Sequence, residues 1–286
     1  MRFQQADGIL DLRKAEDYQA GHLKNSTWLT WLELPECLNE LPATFAESPA
    51  KLFLVGDKEE IEAASLFLHT KGYEINGSLV IENAAAMQSW ASQLPGLVVS
   101  GKDSKNLWSP SPLVKEFIEQ LDFDPKAKKP RLSALDLGCG GGRDSVFLAR
   151  QGWQVTGIDQ EARVLKRAKQ LATKSGASVK FKCCDLKKAG CFPEAEFDLV
   201  TVVRYLNREL FSQIDAAIKP GGYIVYQTFS SGAEAFGSPK NPNFILQAGE
   251  LSKVFADYQI IVDRIDKLQD GRPIASFIAQ KLASSE

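Results

Sequence analysis

Asp136-Leu137-Gly138-Cys139-Gly140-Gly141-Gly142 is the stretch on which the reading of this chain turns. It follows an apolar run, Arg131-Leu132-Ser133-Ala134-Leu135, and precedes Arg143-Asp144-Ser145-Val146-Phe147-Leu148-Ala149-Arg150, which reads as the start of a helix. Strand, glycine turn and helix in that order make a cradle for a ligand. Glycine has no Cβ, so the backbone can turn tightly and a ligand can approach it. The N–H groups of such a turn, with those of the helix N-terminus, favour a carboxylate or phosphate. A dinucleotide site wants Gly-x-Gly-x-x-Gly. Counted from Gly138 and Gly140, its third glycine would be Arg143, so that reading fails. The pattern present is acidic-x-Gly-x-Gly-x-Gly, carried by Asp136, Gly138, Gly140 and Gly142.

Strands and helices alternate beyond this point, which predicts a parallel sheet with helices on both faces. Trp153-Gln154-Val155-Thr156-Gly157-Ile158-Asp159 reads as the second strand and Val179-Lys180-Phe181-Lys182-Cys183-Cys184-Asp185-Leu186 as the third, each ending in an acid. Glu196-Phe197-Asp198-Leu199-Val200-Thr201-Val202-Val203 is the fourth, and Lys219-Pro220-Gly221-Gly222 turns into the fifth. The glycine pattern resembles motif I of the class I S-adenosylmethionine (SAM)-dependent methyltransferases. With the strand-end acids in order, the resemblance spans about residues 106–283. It implies an α/β fold, a Rossmann-like seven-stranded methyltransferase domain over residues 106–286, with SAM as cofactor.

The resemblance also distributes roles. Asp136, Gly138, Gly140 and Gly142 form the cofactor loop, and Arg143 and Asp144 lie near the cofactor. Arg143 is placed to pair with an acidic acceptor or the methionine carboxylate, and Asp144 to orient the methionine amine. Asp159, with Gln160 beside it, accepts from the ribose hydroxyls. Asp185 accepts from the adenine amino group, and the N–H of Leu186 reaches a ring nitrogen. Val203, Arg204 and Tyr205 face the methyl group, and Asn241, on the long loop after the fifth strand, joins them. That loop is expected to shape the acceptor pocket through Phe236, Asn241, Asn243 and Phe244. The run Gly-Cys-Gly-Gly-Gly-Arg143-Asp144-Ser145 is similar to that of tellurite-resistance-type and thiol methyltransferases, which handle small soft acceptors. Asn/Asp-Pro-Pro-Tyr/Phe, the amino-methyltransferase motif, is replaced here by Arg204-Tyr205-Leu206-Asn207.

The first third reads differently. Ile9-Leu10-Asp11-Leu12-Arg13 is a short strand ending in Asp-x-Arg, and Gly21-His22 follows. Lys51-Leu52-Phe53-Leu54-Val55 is a second strand, followed by a loop over 55–61 and a helix closed by Lys71-Gly72-Tyr73. These motifs resemble a rhodanese-like domain over residues 1–95, a smaller α/β domain. Active members of that family place a cysteine at the start of the loop after the second strand. Val55 or Gly56 stands there instead, and the loop carries three carboxylates where a thiolate would need positive charge. The domain is therefore expected to be catalytically inactive, serving binding or assembly, with His22 structural. The breaker-rich stretch 94–104 reads as the boundary, and Trp108 as either an active-site lid or a hydrophobic staple between domains.

Composition bounds the rest. Of 286 residues, 44% are hydrophobic and 24% charged, so disorder is not expected. No apolar run approaches the roughly 20 residues that span a bilayer, and the N-terminus lacks the apolar core of a signal peptide. A cytoplasmic protein without membrane partners follows, its five cysteines reduced and no metal site expected. Residues 1–97 hold 7 basic and 14 acidic side chains, and residues 98–286 hold 27 and 22. The surplus in the second part is too dilute to favour nucleic acid. Its densest run, Lys126-Ala127-Lys128-Lys129-Pro130-Arg131, reads as a solvated loop. A small-molecule acceptor is the favoured partner. An RNA or protein methyltransferase docked through the acidic first domain, and a SAM sensor without turnover, stand beside it.

Overall fold

The computed structural model describes residues 2–45, 47–82, 84–93, 95–120 and 132–283. The basic run at 126–131 lies outside them. The chain divides into two compact units, Met1–Ser109 and Pro110–Glu286.

The first unit runs β1 (Gly8–Asp11), α1 (Ala15–Ala20), β2 (His22–Leu23), β3 (Ser26–Trp28), β4 (Lys51–Gly56), α2 (Lys58–Thr70), β5 (Glu74–Val80), α3 (Ala84–Gln93) and β6 (Val98–Val99). Four strands form a parallel sheet in the order β3-β1-β4-β5. Side chains alternate across a strand, and β1 and β4 show the consequence. Leu10, Leu52 and Leu54 pack on one side with Ala64 and Leu68 of α2, while Ile9, Phe53 and Val55 pack on the other with Met87.

The Asp-x-Arg and Gly-His pairs form an internal latch. Arg13 donates from Nε to Asp11 Oδ1 at 2.9 Å and from Nη2 to Asp11 Oδ2 at 2.6 Å and to the Gly21 carbonyl at 2.7 Å. His22 stacks on Tyr18 at 3.9 Å between ring centroids, and its Nδ1 lies 2.9 Å from the Tyr18 carbonyl. The expected loop over 55–61 shrinks to Asp57 alone, between β4 and α2. Its carboxylate caps the helix, accepting from Glu60 N at 2.8 Å, which is what an acid immediately before a helical run does. The stretch expected as the linker belongs to this unit. Lys24 N donates to Leu97 O and Gly101 N to Gln19 O, and β6 pairs with β2, so the backbone of the breakers finds partners at a sheet edge. Trp108 is buried and lies in this unit as well.

The second unit begins with α4 (Pro112–Gln120), then β7 (Ser133–Leu137), α5 (Arg143–Arg150), β8 (Gln154–Asp159), α6 (Ala162–Lys174), β9 (Val179–Cys183), β10 (Phe197–Val203), α7 (Phe211–Ala216), β11 (Ile218–Phe229), α8 (Glu250–Val254), β12 (Tyr258–Lys267) and β13 (Pro273–Lys281). Seven strands form one sheet, ordered β12-β13-β11-β10-β7-β8-β9. From β11 to β9 the sheet is parallel, but β13 runs antiparallel to both neighbours, so the parallel sheet expected is in fact mixed. The cause is the short connection after β12. Leu268 N bonds the Arg272 carbonyl at 2.9 Å, and a turn that tight can join only antiparallel strands. After β9 the chain crosses back to β10 on the other side of β7. The switch point therefore lies between β7 and β10, where ligands of open α/β sheets bind.

One cysteine expectation is corrected. Cys184 is bonded to Cys191, with Cα atoms 5.6 Å apart, while Cys37, Cys139 and Cys183 form no disulfide. Adjacent residues of extended chain face opposite ways. Cys183 and Cys184 therefore do not compete, and the turn over 185–191 returns Cys191 to Cys184 alone.

Candidate active site

The glycine loop leaves β7 at Leu137 and enters α5 at Arg143. Gly138, Gly140 and Gly142 have φ of +69°, +52° and +79°, a region that L side chains enter only with strain. Gly138 N and Cys139 N both donate to the Ile158 carbonyl, at 2.9 and 3.0 Å, which ties the loop to β8. The glycines do different work. A Cβ on Gly142 would lie 2.8 Å from Ala168 Cβ, and one on Gly138 would lie 3.0 Å from Tyr205 Cβ. One on Gly140 would meet nothing nearer than a carbonyl oxygen at 4.0 Å. Two glycines admit neighbouring protein, and the middle one keeps the ligand side open.

Asp159 ends β8 half-buried. Its Oδ2 accepts from Gly140 N at 2.9 Å and its Oδ1 from Glu161 N at 2.9 Å. A carboxylate can accept about four hydrogen bonds, so Asp159 orders the loop with acceptor capacity to spare. Asp185 stands just beyond β9, half-buried, and caps its own turn through Lys187 N at 3.1 Å. Leu186 is buried in the core, and Gln160 is exposed with its carbonyl 3.5 Å from Cys183 Sγ. Tyr205 leans on Gly138 from the end of β10. Burial and a hydrogen bond with Asn207 set its phenol, with the charges of Asp185 and Asp159 nearby, and the net result is a raised pKa. Gly138, Gly140, Asp159, Asp185 and Tyr205 therefore surround one place.

Asp136 sits beneath the loop rather than in it. It is buried, with Oδ2 accepting from Ser145 Oγ at 2.5 Å and Oδ1 from Thr201 Oγ1 at 3.2 Å. Asp144, in the first turn of α5, accepts from Ser111 N at 2.6 Å. Burial pushes both carboxyls up from 3.8, Asp136 to about 7 and Asp144 to about 6, and Asp144 adds like-charge repulsion at Asp136. A raised folded pKa means that the native state binds the proton more tightly than the unfolded chain. Stability is then fully present below 3.8 and is lost as pH rises towards about 7. The urea midpoint of the free protein is expected to fall between pH 5 and pH 7.5, and Asp136→Asn should flatten that slope. An unchanged slope in the variant would refute the assignment.

At the end of β10, Val203 is half-buried and Arg204 is turned by a φ of +56°, its N–H donating to the Gln227 carbonyl at 2.7 Å. Arg143 is half-buried at the start of α5. Asn241 is exposed, and its Oδ1 accepts from Asn243 N at 2.9 Å, capping a short turn of its own loop. Several supporting residues escape sequence reading. Arg208 donates twice to Glu250, at 2.5 and 2.9 Å, and also to the carbonyls of Asn243 and Ile245, which pins the long loop beside β10. Ser111 and Gln227, linked at 2.9 Å through Ser111 Oγ, brace Asp144 from 33 and more residues away.

Residues 134–222 match the family model described as a methyltransferase domain. The C-terminal unit is a SAM-dependent methyltransferase domain. Ubiquinone biosynthesis O-methyltransferase of Chromobacterium violaceum is 31% identical over 41% of this chain and 53% of its own length. That of Bordetella avium is 28% identical over 46% of this chain and 55% of its own. The chain thus spans about half the length of these relatives. An uncharacterized Schizosaccharomyces pombe protein, UNK4.09, is 25% identical over 96% of this chain and 93% of its own. The structure of TehB from Haemophilus influenzae overlays 59% of this chain and 61% of that one at 20% identity with a TM-score of 0.48, too distant to inform the acceptor.

The residues of this methyltransferase domain fit the cofactor. The open side of Gly140 and the spare acceptors of Asp159 suit a ribose, and the N-terminus of α5 beside Asp144, which no side chain of its N-cap Gly142 caps, suits an amino acid group. Among the described residues no helix is long and apolar enough to cross a membrane.

Proposed function

We propose that this methyltransferase acts on a small-molecule acceptor, a soft chalcogen species or another small metabolite, held between Tyr205 and the loop over 230–247. The observation that carries this reading is the position of Tyr205. Its side chain lies against Gly138 of the glycine loop, and Arg208, three residues further on, holds the 230–247 loop through Glu250 and the carbonyls of Asn243 and Ile245. A pocket with fixed walls aligns a small nucleophile, and alignment is most of what an in-line displacement needs. The names of the ubiquinone biosynthesis relatives add support for a small acceptor.

When bound, SAM would supply an electrophilic methyl group for an acceptor lone pair, with its sulfur as the leaving group. The chain's own residues do the rest. Asp159 orders Gly140 and holds the ribose, Asp185 and the Leu186 N–H read the adenine, and Asp144 takes the methionine amine, with Arg143 at its carboxylate. Tyr205, with its raised pKa, stays neutral, and its ring orients the acceptor without the hydroxyl taking its proton. Asp136 and Thr201 act from below by fixing Ser145 under the loop.

Tyr205→Ala is expected to lower kcat/KM at least tenfold, with Tyr205→Phe close to wild type. Asn241→Ala should act mainly on KM, through the turn it caps. If Tyr205→Ala and Asn241→Ala both leave turnover unchanged, the pocket assignment is wrong. For the first unit we propose a rhodanese-like fold without sulfur transfer. Val55 and Gly56 stand where a cysteine is needed, and Asp57 and Glu60 crowd the spot with carboxylates. Burial and the Asp57 charge raise the pKa of Glu60.

A further inference from the structure

Arg204 is the one described residue of the second unit, apart from glycines, with a left-handed backbone, at φ +56°. An L residue accepts that conformation only where its surroundings enforce it, and such residues gather at ligand sites. Here the enforcing contact is the hydrogen bond from Arg204 N to the Gln227 carbonyl at 2.7 Å. Among the described residues the guanidinium of Arg204 has no hydrogen bond or ion pair, and it keeps contact with solvent. Arg272 reaches the same end of β11. Its guanidinium lies 4.8 Å from the ring centroid of Phe229, which shares a face of β11 with Gln227 two residues before it. Arg272 is itself held by Asp270 at 2.7 Å and by the Ser238 carbonyl at 2.6 Å. Burial, and then the charge of Arg272, press the Arg204 pKa down against the pull of Asp144 and Asp270. Two cations thus act on one another at this end of the sheet, where Asp270 is committed to Arg272 and Asp144 accepts from the N–H of Ser111.

We propose that Arg204, backed by Arg272, is the receptor for a carboxylate or similar oxyanion on the methyl acceptor. The proposal deepens the small-acceptor reading and rests on it. The same chemistry could come from the methionine carboxylate of the cofactor, but the sheet order favours the acceptor. Gly140, Asp159 and Asp185 stand over β7, β8 and β9, whereas Arg204 and Arg272 stand over β10, β11 and β13, across the switch point. Phe229, and Phe236 packed on Gly271, give that side an aromatic wall.

Calorimetry on the full chain saturated with S-adenosylhomocysteine tests this. The probes are mercaptoacetate and 2-mercaptoethanol, which share a thiol and differ in the carboxylate, with acetate and selenite as anions lacking a thiol. Wild type should bind mercaptoacetate at least tenfold more tightly than 2-mercaptoethanol. Arg204→Gln should bring the two within twofold, Arg204→Lys should restore part of the preference, and affinity for S-adenosylhomocysteine should change less than twofold. Equal binding of the two thiols by wild type, a preference that survives Arg204→Gln, or no binding of any anion would overturn the proposal. So would a tenfold loss of S-adenosylhomocysteine affinity in Arg204→Gln, which would give the arginine to the cofactor. An anion preference lost in Arg204→Gln supports the receptor even where neither thiol is methylated, an outcome that counts against the acceptor reading alone.

Discussion

Asp159→Ala is expected to weaken S-adenosylhomocysteine binding roughly 100- to 1,000-fold while leaving the fold in place. The carboxylate does two jobs at once. It holds Gly140 N at 2.9 Å and so shapes the loop, and in the proposed site its remaining acceptor capacity takes the ribose hydroxyls. A hydrogen bond to a charged group contributes about 1.5–3 kcal/mol, and each 1.4 kcal/mol is about a factor of ten in affinity. At the low end of that range, two to three such contacts are worth about 3–4.5 kcal/mol, which corresponds to roughly the stated loss. Asp159→Asn keeps one acceptor oxygen and should fall between wild type and alanine. Calorimetric titration reads the affinity, and near-ultraviolet circular dichroism confirms that the second unit is still folded. Less than a fivefold loss in Asp159→Ala would remove Asp159 from the cofactor site.

Gly142→Ala and Gly140→Ala should separate stability from binding. At Gly142 the new Cβ would lie 2.8 Å from Ala168 Cβ with φ at +79°. Left-handed strain costs about 1–2 kcal/mol and overpacking about 1–3 kcal/mol more. A fall in Tm on the order of 5–15 °C follows. At Gly140 the Cβ meets no protein atom closer than 4.0 Å, so only strain remains and Tm should fall by a few degrees, about 2–5 °C. That methyl group would instead occupy the ligand's side of the loop, and S-adenosylhomocysteine affinity should drop more than tenfold. Equal thermal losses in the two variants would contradict the assignment of one glycine to packing and the other to the ligand.

Residues 136–160 were legible because their signals are local. Glycine spacing and strand-end acids depend on backbone geometry within a few positions, and the strands and helices around Asp136, Asp159 and Asp185 lie close to where hydrophobic patterning puts them. What patterning could not show is depth. Asp136 belongs to the glycine motif yet lies under the loop, because Ser145 and Thr201 offer it buried hydroxyls. Pairings across long stretches were equally hidden. Ser111 reaches Asp144, Arg208 reaches Glu250, and Arg272 arrives beside Phe229 only because β13 inserts between β11 and β12. The Cys184–Cys191 bond depends on a return turn that adjacent cysteines seemed to argue against. In the first unit, the loop expected after β4 became the first turn of α2 because Asp57 is a good N-cap.

The central claim, methyl transfer to a small acceptor, is tested most directly by following label from methyl-labelled SAM. The full chain is offered a panel of small thiols, selenite and tellurite, and separately bulk RNA and bulk protein. Label in volatile or solvent-extractable products, reduced at least tenfold in Tyr205→Ala, is the result this account predicts. Label that precipitates with RNA or protein, with the small-acceptor panel blank, would contradict it.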